Sequence, residues 1–326
     1  MALELTTIAA LLLSLAVLAK ASEYAIVYAS AIARLAGVSE LAIGFLLVAV
    51  STSLPELVVS VTSALSGTTQ LGIGNIFGAN IADVTIVIAA AAITTGVTIP
   101  RKEHSQLTRI LLAVSALSLI MIIGKLSELL GIVLLVVFCA YVYFVLKEPV
   151  KFASGEKTSS KSAHGAIKKM GASVWELAKS LFLFSASMAA ILLSARFAVD
   201  TAVNFAASAG IGLAVVGSTL VSLGTTLPEL SVSIAAAKAR KGNLALGNAI
   251  GSCITNITLI LGLAITINPQ AANLAPHLGL IAYSIFTYLA LLFFMDYRKK
   301  FGRLEGAILV AIYLVFLLVQ ANLIQI

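Results

Sequence analysis

Two short stretches of this sequence place a carboxylate directly after a proline inside an apolar run. One reads Ser51-Thr52-Ser53-Leu54-Pro55-Glu56 and the other Gly224-Thr225-Thr226-Leu227-Pro228-Glu229. An ionisable group in such a run is costly and faces a cavity or a partner. A proline within a helix removes one backbone hydrogen bond and crowds the carbonyl four residues back, here that of Ser51 or Gly224. Carbonyls freed beside a carboxylate form a cluster of hard oxygen donors. Such a cluster suits Ca2+, which takes about 6–8 oxygens at about 2.3–2.6 Å, and it suits Na+. No sulfur or imidazole stands nearby to favour a softer metal.

Helical spacing extends both clusters. Thr52, Glu56 and Ser60 are four apart and share a face, as do Thr225, Glu229 and Ser233. Further on, Asn75, Ala79 and Asp83 align, matched by Asn248, Ser252 and Asn256. Gly74/Gly78 and Gly247/Gly251 are GxxxG pairs that permit close backbone approach. If the two faces meet, Glu56, Glu229, Asp83 and Asn256 converge. Ser60 and Ser233 read as interhelical hydrogen bonders rather than ligands, and Asn75 and Asn248 fit either role.

The elements that must position these residues are set by a repeat. Residues 51–84 and 224–257 align without a gap at an offset of 173, with 13 of 34 positions identical. Apolar composition raises chance matches of Leu or Ala, but not of Pro-Glu or Gly-Asn. Around the repeats lie ten apolar runs, near 5–30, 38–65, 70–95, 106–124, 127–147, 175–203, 210–238, 243–266, 275–295 and 303–322, each close to the ~20 residues of a membrane span. Residues 148–174 form the one long polar stretch and divide the runs into two fives. Five is odd, so the second half enters the membrane from the opposite side and the repeats are inverted. In secondary transporters of that plan the site lies near the midplane, at the repeat interface.

Composition agrees. Of the 326 residues 60% are hydrophobic and 11% charged, with a mean hydropathy of +1.08. A soluble domain has about 45–50% and about 25%, so a soluble enzyme, a disordered chain and a nucleic-acid-binding domain are excluded. The net charge of +7 comes from basic residues in the links between alternate runs. Of the 21 Lys and Arg, only Lys20, Lys125 and Arg196 fall elsewhere. That bias puts the central loop in the cytoplasm and both termini outside. The N-terminus MALELTT lacks a basic region, so the first run reads as a retained helix rather than a cleaved signal.

The remaining chemistry-bearing residues read as structural. Cys139 and Cys253 form no CxxC pair. His104, His164 and His277 fall in polar or Pro-containing connections and read as loop residues. Lys20 and Glu23, three apart, and Arg196 and Asp200, four apart, pair locally, or Glu23 and Arg196 pair between halves. Trp175 reads as an interfacial anchor.

The two motifs, with Gly74-Asn75, Gly78-Ala79-Asn80, Gly247-Asn248 and Gly251-Ser252-Cys253, resemble the paired α-repeats of the cation/Ca2+ exchanger superfamily. The resemblance is closest to its prokaryotic sodium/calcium exchangers and covers essentially the whole chain. It implies a Ca2+ site between Glu56 and Glu229, helped by the carbonyls of Thr52 and Thr225. It further implies Na+ around that site, on oxygens near Ala49, Ser53, Ser222, Thr226 and Ser252. Proton-driven relatives typically carry Gly-Asn-Ala before the glutamate; this chain has Thr-Ser and Thr-Thr. There are two departures from the archaeal pattern. Asp83 and Asn256 are exchanged between the repeats, and Ala79 replaces a serine whose mate, Ser252, is kept.

The expectation is therefore an all-α integral membrane protein, ten transmembrane helices as two inverted five-helix repeats. Its parts are 1–147, a cytosolic linker 148–174, and 175–326. It is expected in the plasma membrane as a monomer, without cofactor or enzymatic activity, exchanging Ca2+ for Na+ by alternating access. Spans one and six would slide against the other eight. A Ca2+/H+ exchanger and a K+-dependent Na+/Ca2+ exchanger are the alternatives. An intramembrane carboxylate protease needs positioned aspartates and a water, and a passive channel would show no counter-ion dependence.

Overall fold

The computed structural model describes residues 2–35, 52–98, 101–123, 127–147, 174–238, 242–269, 274–298 and 300–321. These form ten helical segments. In chain order they are α1 (Ala2–Leu35), α2 (Leu54–Leu65), α3 (Thr69–Thr95), α4 (Arg101–Ile123), α5 (Glu128–Lys147), α6 (Val174–Ala209), α7 (Leu213–Lys238), α8 (242–267), α9 (Leu278–Arg298) and α10 (Arg303–Gln320). Each falls on one of the ten apolar runs. By length and composition six are able to cross a membrane, namely Thr69–Thr95, Trp175–Ala209, Leu213–Lys238, Ala245–Ile267, Ala275–Tyr297 and Arg303–Gln320. The other four positions hold shorter apolar helices among the described residues. The first part of the second run, 38–51, lies outside them, as does the central segment 148–173. A two-residue antiparallel bridge, Val97 with Phe301 and Thr98 with Lys300, ties the end of α3 to the start of α10.

The helices bury their apolar faces in two separate clusters. The larger joins α3, α4, α5, α8, α9 and α10 through Ile76, Phe77, Leu111, Leu134, Ile257, Tyr288 and Phe316. The smaller binds α1 along α6 through Leu11, Leu15, Leu18, Ile191, Ala195 and Ala198, and rests this pair on Val58, Val59, Leu71, Val216 and Val221. Thr6, Thr7 and Ala10 near the start of α1 share a pocket with Thr201 and Asn204 near the end of α6. The two repeat-equivalent helices are therefore antiparallel, as an inverted repeat requires.

Local sequence explains the breaks. The prolines were expected inside continuous helices. Instead a turn at Ser53 (φ −83°, ψ 11°) interrupts the chain, and Pro55 occupies the first turn of α2. There its missing N–H is one that a helix start leaves unpaired anyway. The helix of the second repeat breaks in the same place, at Thr226 (φ −78°, ψ −1°). Among the described residues there are three π-helical turns, Asp83–Val87 in α3, Asn256–Ile260 in α8 and Gly217–Val221 in α7. The first two are repeat mates, and such turns recur at functional sites.

Glycine permits the closest approach between halves. A Cβ on Gly217 would collide with the Leu71 carbonyl, and one on Gly74 with that of Ala214. α3 and α7 thus pack backbone to backbone, as the GxxxG spacing predicts.

The charged pairs and histidines behave differently from one another. Lys20 pairs with Glu23 at 2.5 Å and Arg196 with Asp200 at 4.0 Å, both locally. Trp175 is exposed at the start of α6. His104 lies in a helix rather than a loop, and its Nε2 is 3.0 Å from Asp296 Oδ1. His277 is fully buried, with Nε2 2.9 Å from the Gln70 carbonyl, so its short helical turn anchors the start of α9 to α3.

Candidate cation site

The broken helices bring their proline-following carboxylates into the interior. Glu56, Glu229 and Asp83 are each only 1% exposed, and the three lie within electrostatic reach of one another. Glu56 stands in the first turn of α2, and Asp83 opens the π-turn of α3. Neither carboxylate oxygen of Glu56 has a hydrogen-bond partner among the described residues. Nor do Asp83 Oδ1, Glu229 Oε2 or Asn256 Oδ1. A buried polar atom without a partner costs roughly 1–3 kcal/mol, and more when charged. Four of these oxygens belong to the three acids that lie within electrostatic reach of one another, an arrangement that a cation would satisfy.

Hydroxyls line the same region. Ser53 Oγ donates to Glu229 Oε1 at 3.4 Å and Ser252 Oγ donates to the same oxygen at 3.5 Å. Thr226 Oγ1 donates instead to the Ser222 carbonyl at 2.7 Å. The hydroxyl of Ser222 donates to the Ser218 carbonyl at 2.7 Å. A hydroxyl that gives its hydrogen away still presents lone pairs, so these groups remain oxygen donors. Ala49 lies outside the described residues.

The two halves are tied by reciprocal bonds. Thr225 Oγ1 donates to Asn75 Oδ1 at 3.0 Å, and its mate Thr52 donates to Asn248 Oδ1 at 3.3 Å. Asn75 Nδ2 donates to Ser60 Oγ at 3.4 Å, and Asn248 Nδ2 to Ser233 Oγ at 3.2 Å. The serines are thus interhelical bonders, as expected, and both asparagines use their amides to lock helices. Threonines of one repeat bonding asparagines of the other is the pattern a two-fold relation produces. Asn80 and its mate Cys253 touch each other, Asn80 Nδ2 donating to the Cys253 carbonyl at 3.4 Å. Mates in contact mark where the pseudo-axis passes.

Glu56, Glu229, Asp83, Asn256, Thr52, Thr225, Ser53, Thr226, Ser222 and Ser252 are all buried on the facing repeats. Among the described residues no three His, Cys, Asp or Glu side chains cluster tightly enough to hold a metal alone. A cation here would be completed by neutral oxygens, which is hard-cation chemistry. Sequence reasoning passed over Tyr288, whose hydroxyl accepts from Asn80 Nδ2 at 2.9 Å. It sits on α9, far from either repeat motif, and no spacing rule connects it to them.

The pattern of the family described as "Sodium/calcium exchanger protein" matches residues 6–147 and 179–322. The chain belongs to this family. Sodium/calcium exchanger MaX1 of Methanosarcina acetivorans is 33% identical to the present exchanger, over 95% of this chain and 97% of that protein. An uncharacterized membrane protein of Methanocaldococcus jannaschii is 31% identical, over 93% and 94%. Structures of the sodium-calcium exchanger NCX_Mj, among them one soaked with 2.5 mM Na+ and 10 mM Sr2+, superpose with a TM-score of 0.64 at 29% identity, covering 96% of this chain and 98% of that one. This exchanger is thus an all-α membrane protein of the same fold. Members of the family are transporters rather than enzymes.

Proposed function

We propose that this protein exchanges Ca2+ for Na+ across a cell membrane by alternating access, with both ions competing for Glu56, Glu229 and Asp83. The observation that carries the reading is the set of buried, unpartnered oxygens on Glu56, Asp83, Glu229 and Asn256. Either a Ca2+ or a set of Na+ ions neutralises them, and the neutralised protein is free to change the side to which it opens. The empty site resists that change, because unpaired charge in a low dielectric is expensive. Thr52 and Thr225 contribute carbonyls to Ca2+. Ser53, Ser222, Thr226, Ser252 and residues near Ala49 contribute oxygens to Na+.

The moving part is α1 with α6, sliding over the other helices. Their separate apolar cluster supports this reading, since it leaves the larger core intact when the pair shifts. The chain works as two inverted five-helix units, 1–147 and 175–326, joined by a cytoplasmic segment at 148–174, as a monomer with both termini outside.

Uptake of 45Ca2+ into proteoliposomes under separate Na+, K+ and H+ gradients tests the proposal. An outward Na+ gradient should drive uptake in the absence of K+ and of a pH gradient. Uptake that requires K+ identifies a K+-dependent exchanger, and uptake driven by the pH gradient alone identifies a Ca2+/H+ exchanger. Flux without any counter-ion dependence would reject exchange.

A further inference from the structure

We infer that Asn80 is a positioning residue that fixes the Asn256 amide with its oxygen, not its N–H groups, turned to the cation site. The inference rests on the site proposed above and adds a residue that is not among its ligands. Asn80 is fully buried on α3, one residue from Ala79. Its side chain makes three hydrogen bonds: to the Cys253 carbonyl at 3.4 Å, to Tyr288 Oη at 2.9 Å and from Asn256 Nδ2 at 2.8 Å.

The polarity of this chain follows from one fixed end. A backbone carbonyl only accepts, so the Asn80 atom facing Cys253 is its nitrogen. Both N–H groups of Asn80 are then spent, one on Cys253 and one on Tyr288, whose hydroxyl lone pairs accept it. The Asn80 oxygen is left for Asn256 and only a donor can meet it there. Asn256 must therefore offer Nδ2 to Asn80 and present Oδ1 on its other side. That oxygen is buried and has no partner. Asn256 lies one helical turn beyond Ser252, which bonds Glu229 Oε1, so Oδ1 is carried on the face that meets the acids.

A reversed amide would aim N–H dipoles at a site that must attract cations. The same geometry selects Asn over Asp at position 256. A carboxylate there would set an oxygen against Asn80 Oδ1, with no hydrogen between them. Asn80 and Asn256 thus act as one unit that keeps this arm of the site neutral and oxygen-donating.

The test uses the full chain in detergent and reads the Ca2+ concentration giving half-maximal thermal stabilisation, with choline as ionic control. Asn80→Ala should raise this midpoint by about 3–10-fold, the range of one lost hydrogen bond. Asn256→Ala should raise it at least as much. Because Asn80 acts through Asn256, the double variant should match Asn256→Ala alone. Where Asn80→Ala does not fold, Asn80→Ser, too short to reach Asn256, takes its place. An unchanged midpoint for the Asn80 variant, or effects that multiply in the double variant, would overturn the inference while leaving the site intact. A wild-type protein that Ca2+ does not stabilise would overturn the proposed site and this inference together.

Discussion

The two repeat copies share a backbone plan and differ in what surrounds each glutamate. Glu229 accepts from Ser53 and Ser252 on one oxygen. Around Glu56, the mate of Ser252 is Ala79, which has no hydroxyl, and the mate of Ser53 is Thr226, whose hydrogen goes to the Ser222 carbonyl. Both oxygens of Glu56 are left bare among the described residues. The outer arms differ as well. Asn80 of the first repeat holds Asn256 of the second, whereas its mate Cys253 brings only a thiol to the symmetric position beside Asp83. A duplicated scaffold thus supplies the geometry twice, and single side chains make two unequal carboxylate environments from it.

The comparison is open to direct attack. The largest effect is expected from Glu56→Gln and Glu229→Gln, each of which should abolish Na+-driven 45Ca2+ uptake. Retained uptake in either would reject the site. In cation-free choline buffer the same two variants should separate. Glu56→Gln replaces a bare buried carboxyl, and Glu229→Gln one already bonded to two hydroxyls, so the former should raise the melting temperature more, at about 2–4 °C per kcal/mol. Equal shifts would dissolve the asymmetry.

Next in size is the exchange Asp83→Asn with Asn256→Asp. It keeps three acids in the site but sets a carboxylate against Asn80 Oδ1. The double variant should stay at least about tenfold weaker for Ca2+, about 1.4 kcal/mol. Wild-type affinity would mean that the two arms are equivalent after all. Ala79→Ser should strengthen Na+ competition by about 2–10-fold, the worth of one hydroxyl contact, and Ser252→Ala should weaken it. The smallest effect belongs to Cys253→Ala, which removes only a 3.8 Å thiol contact to the Asn80 carbonyl. Its half-saturating Ca2+ should move by less than about twofold, since a lone thiol is a weak donor.

Much of this is legible in the amino-acid sequence. Each of the ten apolar runs coincides with a helix among the described residues, because burial from water demands apolar length whatever the packing. The pairing of Pro55-Glu56 with Pro228-Glu229 singled out two glutamates that are buried, because a charge and a helix breaker are both expensive in that setting. Spacing by four also placed Ser60 and Ser233 correctly, since one helix face is a local property. Other expectations needed correction. Pro55 falls in the first turn of α2, just after the turn at Ser53, where no residue type announces it. His277 reads as a loop residue beside Pro276, yet it is buried against Gln70, a contact between residues 207 apart in sequence.

The sequence by itself determined the membrane setting, the duplication, and the three acids set in apolar runs. These follow from hydropathy and from periodicity within a helix, which are local. Only the tertiary structure decided how the acids are dressed. Asn80 meets Asn256 and Tyr288 across 176 and 208 residues, and Ser53 meets Glu229 across the pseudo-axis. Hydrogen bonds are directional and short, so which oxygen is satisfied and which is left for an ion depends on atoms that only folding brings together.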